Sequence, residues 1–419
     1  MSIIKQGFES ADLDIPVVLP TLNLDFANSQ SLDKRITFSR GSIGTRVNRN
    51  GLIETIPANQ PRFDFDPISG ECRGLLIEES RTNLIVGSNS FGGGDTNLGV
   101  TASATTSPDG TTNASLIYEK TTNNYKIHSV GFTAVIGTSY CASVFVKYAG
   151  SSKYGRLKSG STNTIIINLT NGAILSSTGT CGVIPHPNGW YRIYSIFTAT
   201  STSENLQLFL MNYNGALSQY QGDGSSGYYV YGMQAEQGAF PTSYIPTTAS
   251  TVTRSFDNAD MTGINFSSWY NQTEGTFFYN GTLPFITNDT VGRVPFGVSN
   301  GFNFSNSIYV AKTSTSLGLS FTVINNNVSQ TTGTSLPNMT SSKFKIASSV
   351  APNNIYSCGY GGVVNKHSKS SAAIPTATRL TLGKEPWNGS ALNPIIGCIT
   401  RFTYYPRALK PNQLQFLTQ

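Results

Sequence analysis

Ser139-Tyr140-Cys141-Ala142-Ser143-Val144-Phe145-Val146-Lys147-Tyr148 alternates two sets of side chains along its length. In an extended chain Tyr140, Ala142, Val144, Val146 and Tyr148 point to one side, and Cys141, Ser143, Phe145 and Lys147 to the other. Both sets hold apolar groups, so the stretch reads as a strand covered on each face, as in a sandwich. The neighbouring sequence follows the same grammar. Thr164–Leu169 and Ala173–Leu175 flank Asn171-Gly172 as a hairpin, and Trp190–Thr198, Asn205–Met211 and Tyr228–Glu236 are further strands. The run Gly222–Gly227 (GDGSSG) is a loop. Strands at regular spacing with turn signals between them describe a sandwich or barrel.

The pattern repeats toward the C-terminus. Gly275–Tyr279, Tyr309–Lys312, Leu317–Ile324, Lys343–Ser348, Asn354–Val364, Arg379–Gly383 and Ile395–Tyr405 read as strands. Only the end is helical in pattern, with Pro411 suited to a first turn and Leu414 and Leu417 three apart. Toward the N-terminus the extended pieces shorten. Asn50-Gly51 predicts a type I′ hairpin turn, since both residues tolerate positive φ. The fold class expected is all-β with minimal helix: an extended N-terminal arm (1–86), then two antiparallel β-sandwiches (87–260 and 261–419). The arm's short pieces leave edges unpaired, which suits docking and oligomer assembly.

Composition agrees with this reading. Of 419 residues, 12% are charged, about half the usual share, while Gly contributes 41, Tyr 20 and Phe 23. Helical bundles, coiled coils and doubly wound α/β enzymes are disfavoured, and the aromatic content argues against disorder. The net charge of +6 is scattered, with no clustered basic face or run, which speaks against nucleic acid. No stretch approaches the ~20 apolar residues of a membrane span. Met1–Leu24 lacks the basic start, apolar segment and cleavage site of a signal peptide, so the secretory route is not expected. The five cysteines (Cys72, Cys141, Cys181, Cys358, Cys398) form no C-x-x-C pair and read as buried thiols.

No motif demands a catalytic centre, a metal or a cofactor. His128, His186 and His367 sit in no H-E-x-x-H pattern, and His186, between two prolines, is expected in a solvent-facing turn. The acids Asp64, Asp66, Glu71, Glu78 and Glu79 alternate with Arg62, Arg73 and Arg81, a pattern favouring ion pairs over acid–base chemistry. Glu236 reads as a paired buried carboxylate, with Ca²⁺ ligation the other reading. A glycosidase needs two facing acids about 5–10 Å apart, and the sandwiches offer few. Binding remains. Sugars are met by flat aromatic faces with amides beside them, which makes Trp190, Tyr228, Tyr229, Trp387 and Asn388 the candidates. Trp190 and the tyrosines also fit a core role.

Residues 38–85 resemble a segment recurring in bacteriophage tail fibre, tail and virion-surface proteins. The resemblance is carried by Asn59-Gln60-Pro61-Arg62-Phe63-Asp64, Gly74-Leu75-Leu76 and Glu78-Glu79-Ser80-Arg81-Thr82-Asn83-Leu84, with Arg40, Thr45, Gly51 and Ile53. Tyr231–Glu236 and Pro241–Thr247 resemble the closing strand of a jelly roll similar to carbohydrate-binding modules, and Gly397–Leu409 resembles concanavalin/laminin-G-like domains. The resemblance implies a non-enzymatic virion structural protein, assembled in the host bacterial cytoplasm: a short tail fibre, spike or surface-attached protein. Its implied partners are other virion proteins, its own copies (a trimer) and host surface polysaccharide. On this reading Arg40, Arg46, Arg62, Phe63, Asp64, Glu78 and Arg81 are the docking and assembly residues. The competing readings are a polysaccharide depolymerase and a capsid cement protein without ligand.

Overall fold

The computed structural model describes residues 18–92, 97–211, 219–283, 293–312, 318–331, 342–352, 354–359, 364–367, 373–385 and 396–419. Ser139–Tyr148 is a central strand of a six-stranded antiparallel sheet, ordered Thr180–His186, Trp190–Thr198, Ser139–Tyr148, Gly227–Gln237, Ala114–Glu119 and Leu98–Thr105. Tyr140, Ala142, Val144 and Val146 face a second sheet and join Ile193, Leu157, Ile165, Leu206 and Leu208 in one core. That second sheet runs Lys126–Thr133, Ser203–Leu210, Tyr154–Ser159, Asn163–Asn168, Ile174–Thr178. The opposite face of Ser139–Tyr148 is covered as well, for Phe145 packs with Trp190, Tyr231 and Tyr244 in a separate small core.

The other sandwich explains what covers that face. One of its sheets runs Val364–His367, Asn354–Gly359, Lys343–Ala351, Gly275–Thr282, Gly397–Tyr405, Cys72–Ile77, Arg62–Phe65, with Leu22–Asp25 also on Gly397–Tyr405. The facing sheet begins Thr37–Ser39, Asn258–Thr262, Arg379–Leu382, Arg293–Ser299 and continues through Ser307–Lys312 and Leu319–Asn325. The segment expected as a separate arm therefore does not stand apart: it supplies strands to both sheets. Leu22 pairs with Tyr404 and Leu24 with Phe402, Leu75 with Ile399, and Phe38 with Ala259. The physical reason is the edge of Gly397–Tyr405, whose backbone groups need partners and whose apolar face needs Leu22, Leu24, Phe63, Leu75 and Ile77 to complete one core. Residues 258–260, assigned from sequence to the first sandwich, likewise belong here.

The first sandwich is thus inserted into the second. Its two connections are zipped side by side, Arg81–Asn83 pairing with Val252–Arg254. Asn50-Gly51 does close a hairpin, Gly44–Val47 with Ile53–Ile56. Only Gly51 takes positive φ, so the turn is not type I′; Gly51 N–H donates to Asn48 O at 2.9 Å and Asn48 N–H to Leu52 O at 2.8 Å. This hairpin places Ile53 on the Phe145 cluster. Among the described residues helix is confined to short pieces, the longest being Pro411–Thr418, where Pro411 opens the first turn and Leu414 is fully buried.

Candidate functional site

Where the two sandwiches meet, charge is buried. Arg62, 0% exposed, donates to Glu78 Oε2 at 2.7 Å and Thr45 O at 2.8 Å through Nη1, and to Asp257 through Nη2. Arg40, also buried, donates to Asp257 Oδ1 at 3.1 Å and to the Pro57 carbonyl at 2.7 Å. Arg254 reaches Glu78 at 3.3 Å and donates to the Glu79 carbonyl at 2.6 Å. Burial alone would raise the Glu78 carboxyl, but the Arg254 and Arg62 charges and the Ser243 donors hold it at about 2. Backbone carbonyls and the Ser243 hydroxyl take up further guanidinium N–H groups, while the Nε–H groups of Arg62 and Arg254 are buried without a partner among the described residues.

Beside this cluster lies a cleft of ≈ 700 Å³ between the sandwiches. Asp64, Asp66 and Arg73 line it from the strands Arg62–Phe65 and Cys72–Ile77 and the turn between them, Arg46 from the hairpin, Arg192, Tyr194 and His186 from the first sandwich, and Asn280 and Lys343 from the second. Arg73 bridges two acids, 3.7 Å from Asp64 and 2.8 Å from Asp66. Burial pushes the Asp64 carboxyl up to about 6, only partly offset by the Val47 N–H and Arg73. For Asp66 burial also raises, but the Ser69 N–H, Arg73 and the Ile68 N–H prevail and hold it at about 2. One cleft therefore holds a protonatable and an ionised carboxyl on a single guanidinium. Arg192, stacked 5.4 Å from the Phe145 ring centroid, donates to the Thr242 carbonyl at 2.6 Å and to Ser143 Oγ at 3.0 Å. His186 is buried against Phe145 rather than turned to solvent, and burial together with Arg192 lowers its pKa to about 3.

Several residues singled out from sequence are placed otherwise. Trp190 is 1% exposed, its indole N–H donating to Thr106 O at 3.1 Å, and Tyr228 is 0% exposed with its hydroxyl on Phe209 O. Neither offers a face to a sugar, because each fills a core. Tyr229 is half-buried at the edge of the Phe145 cluster. Trp387 and Asn388 lie outside the described residues. Of the docking candidates, Arg40, Arg62, Phe63, Asp64, Glu78 and Arg81 are buried, so they hold the chain's own junction and present no docking surface. Arg46 is half-buried, paired with Glu54 at 2.9 Å. Glu236 accepts from Gln234 Nε2, Thr242 N–H and Thr242 Oγ, a carboxylate saturated by protein donors. Among the described residues no group of three or more acids, histidines or cysteines is arranged to hold a metal ion.

Sequence reasoning missed Arg192, Tyr194, Asn280 and Lys343, and it read His186 as a turn residue facing solvent. They converge only through the insertion of one sandwich into the other, for which no local motif exists. The ion pairs anticipated within 62–81 do form, in Arg62–Glu78, Arg73–Asp66 and Arg81–Glu79.

No protein-family model matches the chain, and no curated protein sequence matches it. Among solved structures, the Ruminococcus gnavus IT-sialidase CBM40 is similar over 37% of this chain and 88% of its own, at 14% identity and TM-score 0.32. Trypanosoma rangeli sialidase is similar over 73% of this chain and 60% of its own, at 10% identity and TM-score 0.29. Mouse laminin alpha1 chain, domains LG4-5, is similar over 69% of this chain and 89% of its own, at 10% identity and TM-score 0.24.

Proposed function

We propose that this chain is a non-catalytic structural protein of a bacteriophage particle, and that the cleft between its sandwiches binds a host-surface saccharide. The observation that carries the binding role is the ≈ 700 Å³ cleft lined by Arg46, Arg73, Tyr194, Asn280 and Lys343. Guanidinium, amide, ammonium and phenol groups at one opening match the hydroxyl-rich edges of a pyranose, and two rigid sandwiches hold them in place. The virion role draws on the resemblance of residues 38–85. A glycan array probed with the full chain tests the cleft: Asn280→Ala should weaken the signals from neutral glycans about tenfold, and unchanged neutral-glycan signals would remove the cleft from the proposal. Mass spectrometry of purified particles tests the location, with absence from them rejecting it.

A second reading has its own observation. Asp64 and Asp66 share Arg73 while their pKa values are driven apart, to about 6 and about 2, the pattern of an acid and an ionised partner in a glycosidase. Against it, Asp66 is engaged by the Ile68 and Ser69 N–H groups of its own turn, at 3.0 and 2.9 Å. New reducing ends from host polysaccharide, lost in Asp64→Asn, would establish hydrolysis in place of binding.

A further inference from the structure

Among the described residues, the five-stranded sheet of the first sandwich buries one face and leaves the other unpartnered. On the buried side stand Leu157, Ile165, Leu206 and Leu208, all 0% exposed. On the open side the register aligns two rows across the strands. Phe209 lies opposite both Ile127 and Arg156, and Arg156 opposite Ile166; Gln207 lies opposite both Ser129 and Lys158, and Lys158 opposite Thr164. Arg156 stacks on Phe209, 4.5 Å from the ring centroid, and its Nε donates to Thr164 Oγ at 2.8 Å. These two rows carry two cations and no Asp or Glu, and neither Arg156 nor Lys158 has an ion-pair partner among the described residues. Glu204, in the neighbouring strand, points to the other side, 5% exposed and accepting from the Thr200 and Ser201 N–H groups.

We propose that this open face is a second binding site, distinct from the cleft, for a carboxylate-bearing polysaccharide lying along the strand Tyr154–Ser159. Arg156 is fixed by the ring beneath it, so its outer edge presents a planar fork suited to a sugar carboxylate. Lys158 stands two residues along the same strand and adds a second charge, while Ser129, Gln207 and Thr164 supply hydroxyl and amide groups at the spacing of the strands, ~4.8 Å. Charge complementarity selects this occupant. A neutral glucan leaves both cations unmatched, and a second copy of the face would set like charges against each other. Residues two apart in a strand stand ~7 Å from each other, so the two cations meet two carboxylates of a chain rather than one small anion.

The test is calorimetric titration of the full chain with polygalacturonate, dextran and double-stranded DNA. Polygalacturonate should bind, with affinity falling as NaCl rises, and dextran should not compete for the face. The double variant Arg156→Gln/Lys158→Gln should lose at least tenfold in affinity with its melting midpoint retained. Lys158→Gln alone, which leaves the Arg156–Phe209 stack intact, should lose several-fold. Asn280→Ala in the cleft should leave polygalacturonate binding unchanged, which separates this site from the cleft. No binding by the unmodified chain, equal affinity for dextran, tighter binding of DNA, unchanged affinity in the double variant, or a self-association that this variant abolishes would each overturn the proposal.

Discussion

Single residues at the junction carry most of the testable electrostatics. Asp257 is 0% exposed and accepts from Arg62, Arg40 and the Glu78 N–H at once. Replacing it with Ala leaves buried Arg40 without its carboxylate and Arg62 with Glu78 alone, and breaking a buried pair in this way costs about 3–5 kcal/mol. Urea unfolding of Asp257→Ala should show that loss; a change under 1 kcal/mol would mean that the cluster is solvated. The carboxyls near it respond to pH in opposite senses. Glu78, held at about 2 against 4.5 in the unfolded chain, stabilises fully above pH 4.5, and that contribution fades as pH falls toward 2. His186, lowered to about 3 from 6.5, acts likewise: its contribution is present above 6.5 and fades as pH falls toward 3. Asp64, raised to about 6 from 3.8, is the reverse. Its folded form keeps a proton that the unfolded chain gives up, so its contribution is complete below about 3.8 and lost as pH rises through 6. Asp64→Asn can still accept the Val47 N–H without carrying charge. Its melting midpoint should therefore gain on the unmodified chain between pH 4 and 7, and a constant gap would show that Asp64 is not raised.

Elements were legible from the sequence where a pattern is local. The two-sided alternation of Ser139–Tyr148, the hairpin at Asn171-Gly172 and the final short helix each depend on neighbours within one element, and each is present. What sequence could not supply was the partner of a strand. Leu22-Asn23-Leu24-Asp25 reads equally well as an arm awaiting another chain or as an edge of its own sheet, and only the exposed edge of Gly397–Tyr405 decides it. The same gap turned buried Arg40 and Arg62 into docking candidates, since a guanidinium buried among its own chain's carboxylates looks, in sequence, like one offered to a partner. The Asn50-Gly51 hairpin shows a finer limit: the turn is where it was expected, but the packing around it sets its geometry. At Gly51, φ is +76°, and a Cβ would lie 2.4 Å from the Pro67 carbonyl oxygen and 2.3 Å from Pro187 Cγ. Gly51→Ala should thus cost more than the ~1 kcal/mol typical of left-handed strain alone, because the turn must also withdraw from two neighbouring segments. Chemical denaturation measures this, and a neutral effect would show that the hairpin packs loosely.

At the scale of the whole molecule, the insertion of one sandwich into another makes the N-terminal residues structural members of the C-terminal half. Residues 255–419 taken alone lack Leu22–Asp25, Thr37–Ser39, Arg62–Phe65 and Cys72–Ile77, and with them Phe63, Leu75 and Ile77 of the shared core. They also lack both arginines that neutralise Asp257, which would be left buried with no cation or exposed by unfolding. The complementary deletion is milder. Because Asn83 pairs with Val252, a short Gly-Ser link replacing residues 87–249 spans two adjacent strands and keeps every strand of the second sandwich. That chain loses Ser243 and the cover over Ile53, so it should melt below the full-length protein, yet cooperatively and with β-rich circular dichroism. The 255–419 fragment should show neither cooperative melting nor native-like spectra. Were the fragment to fold independently with the melting behaviour of the linked chain, the strands of the first 86 residues would be dispensable, and an arm free for a partner would again be the better description.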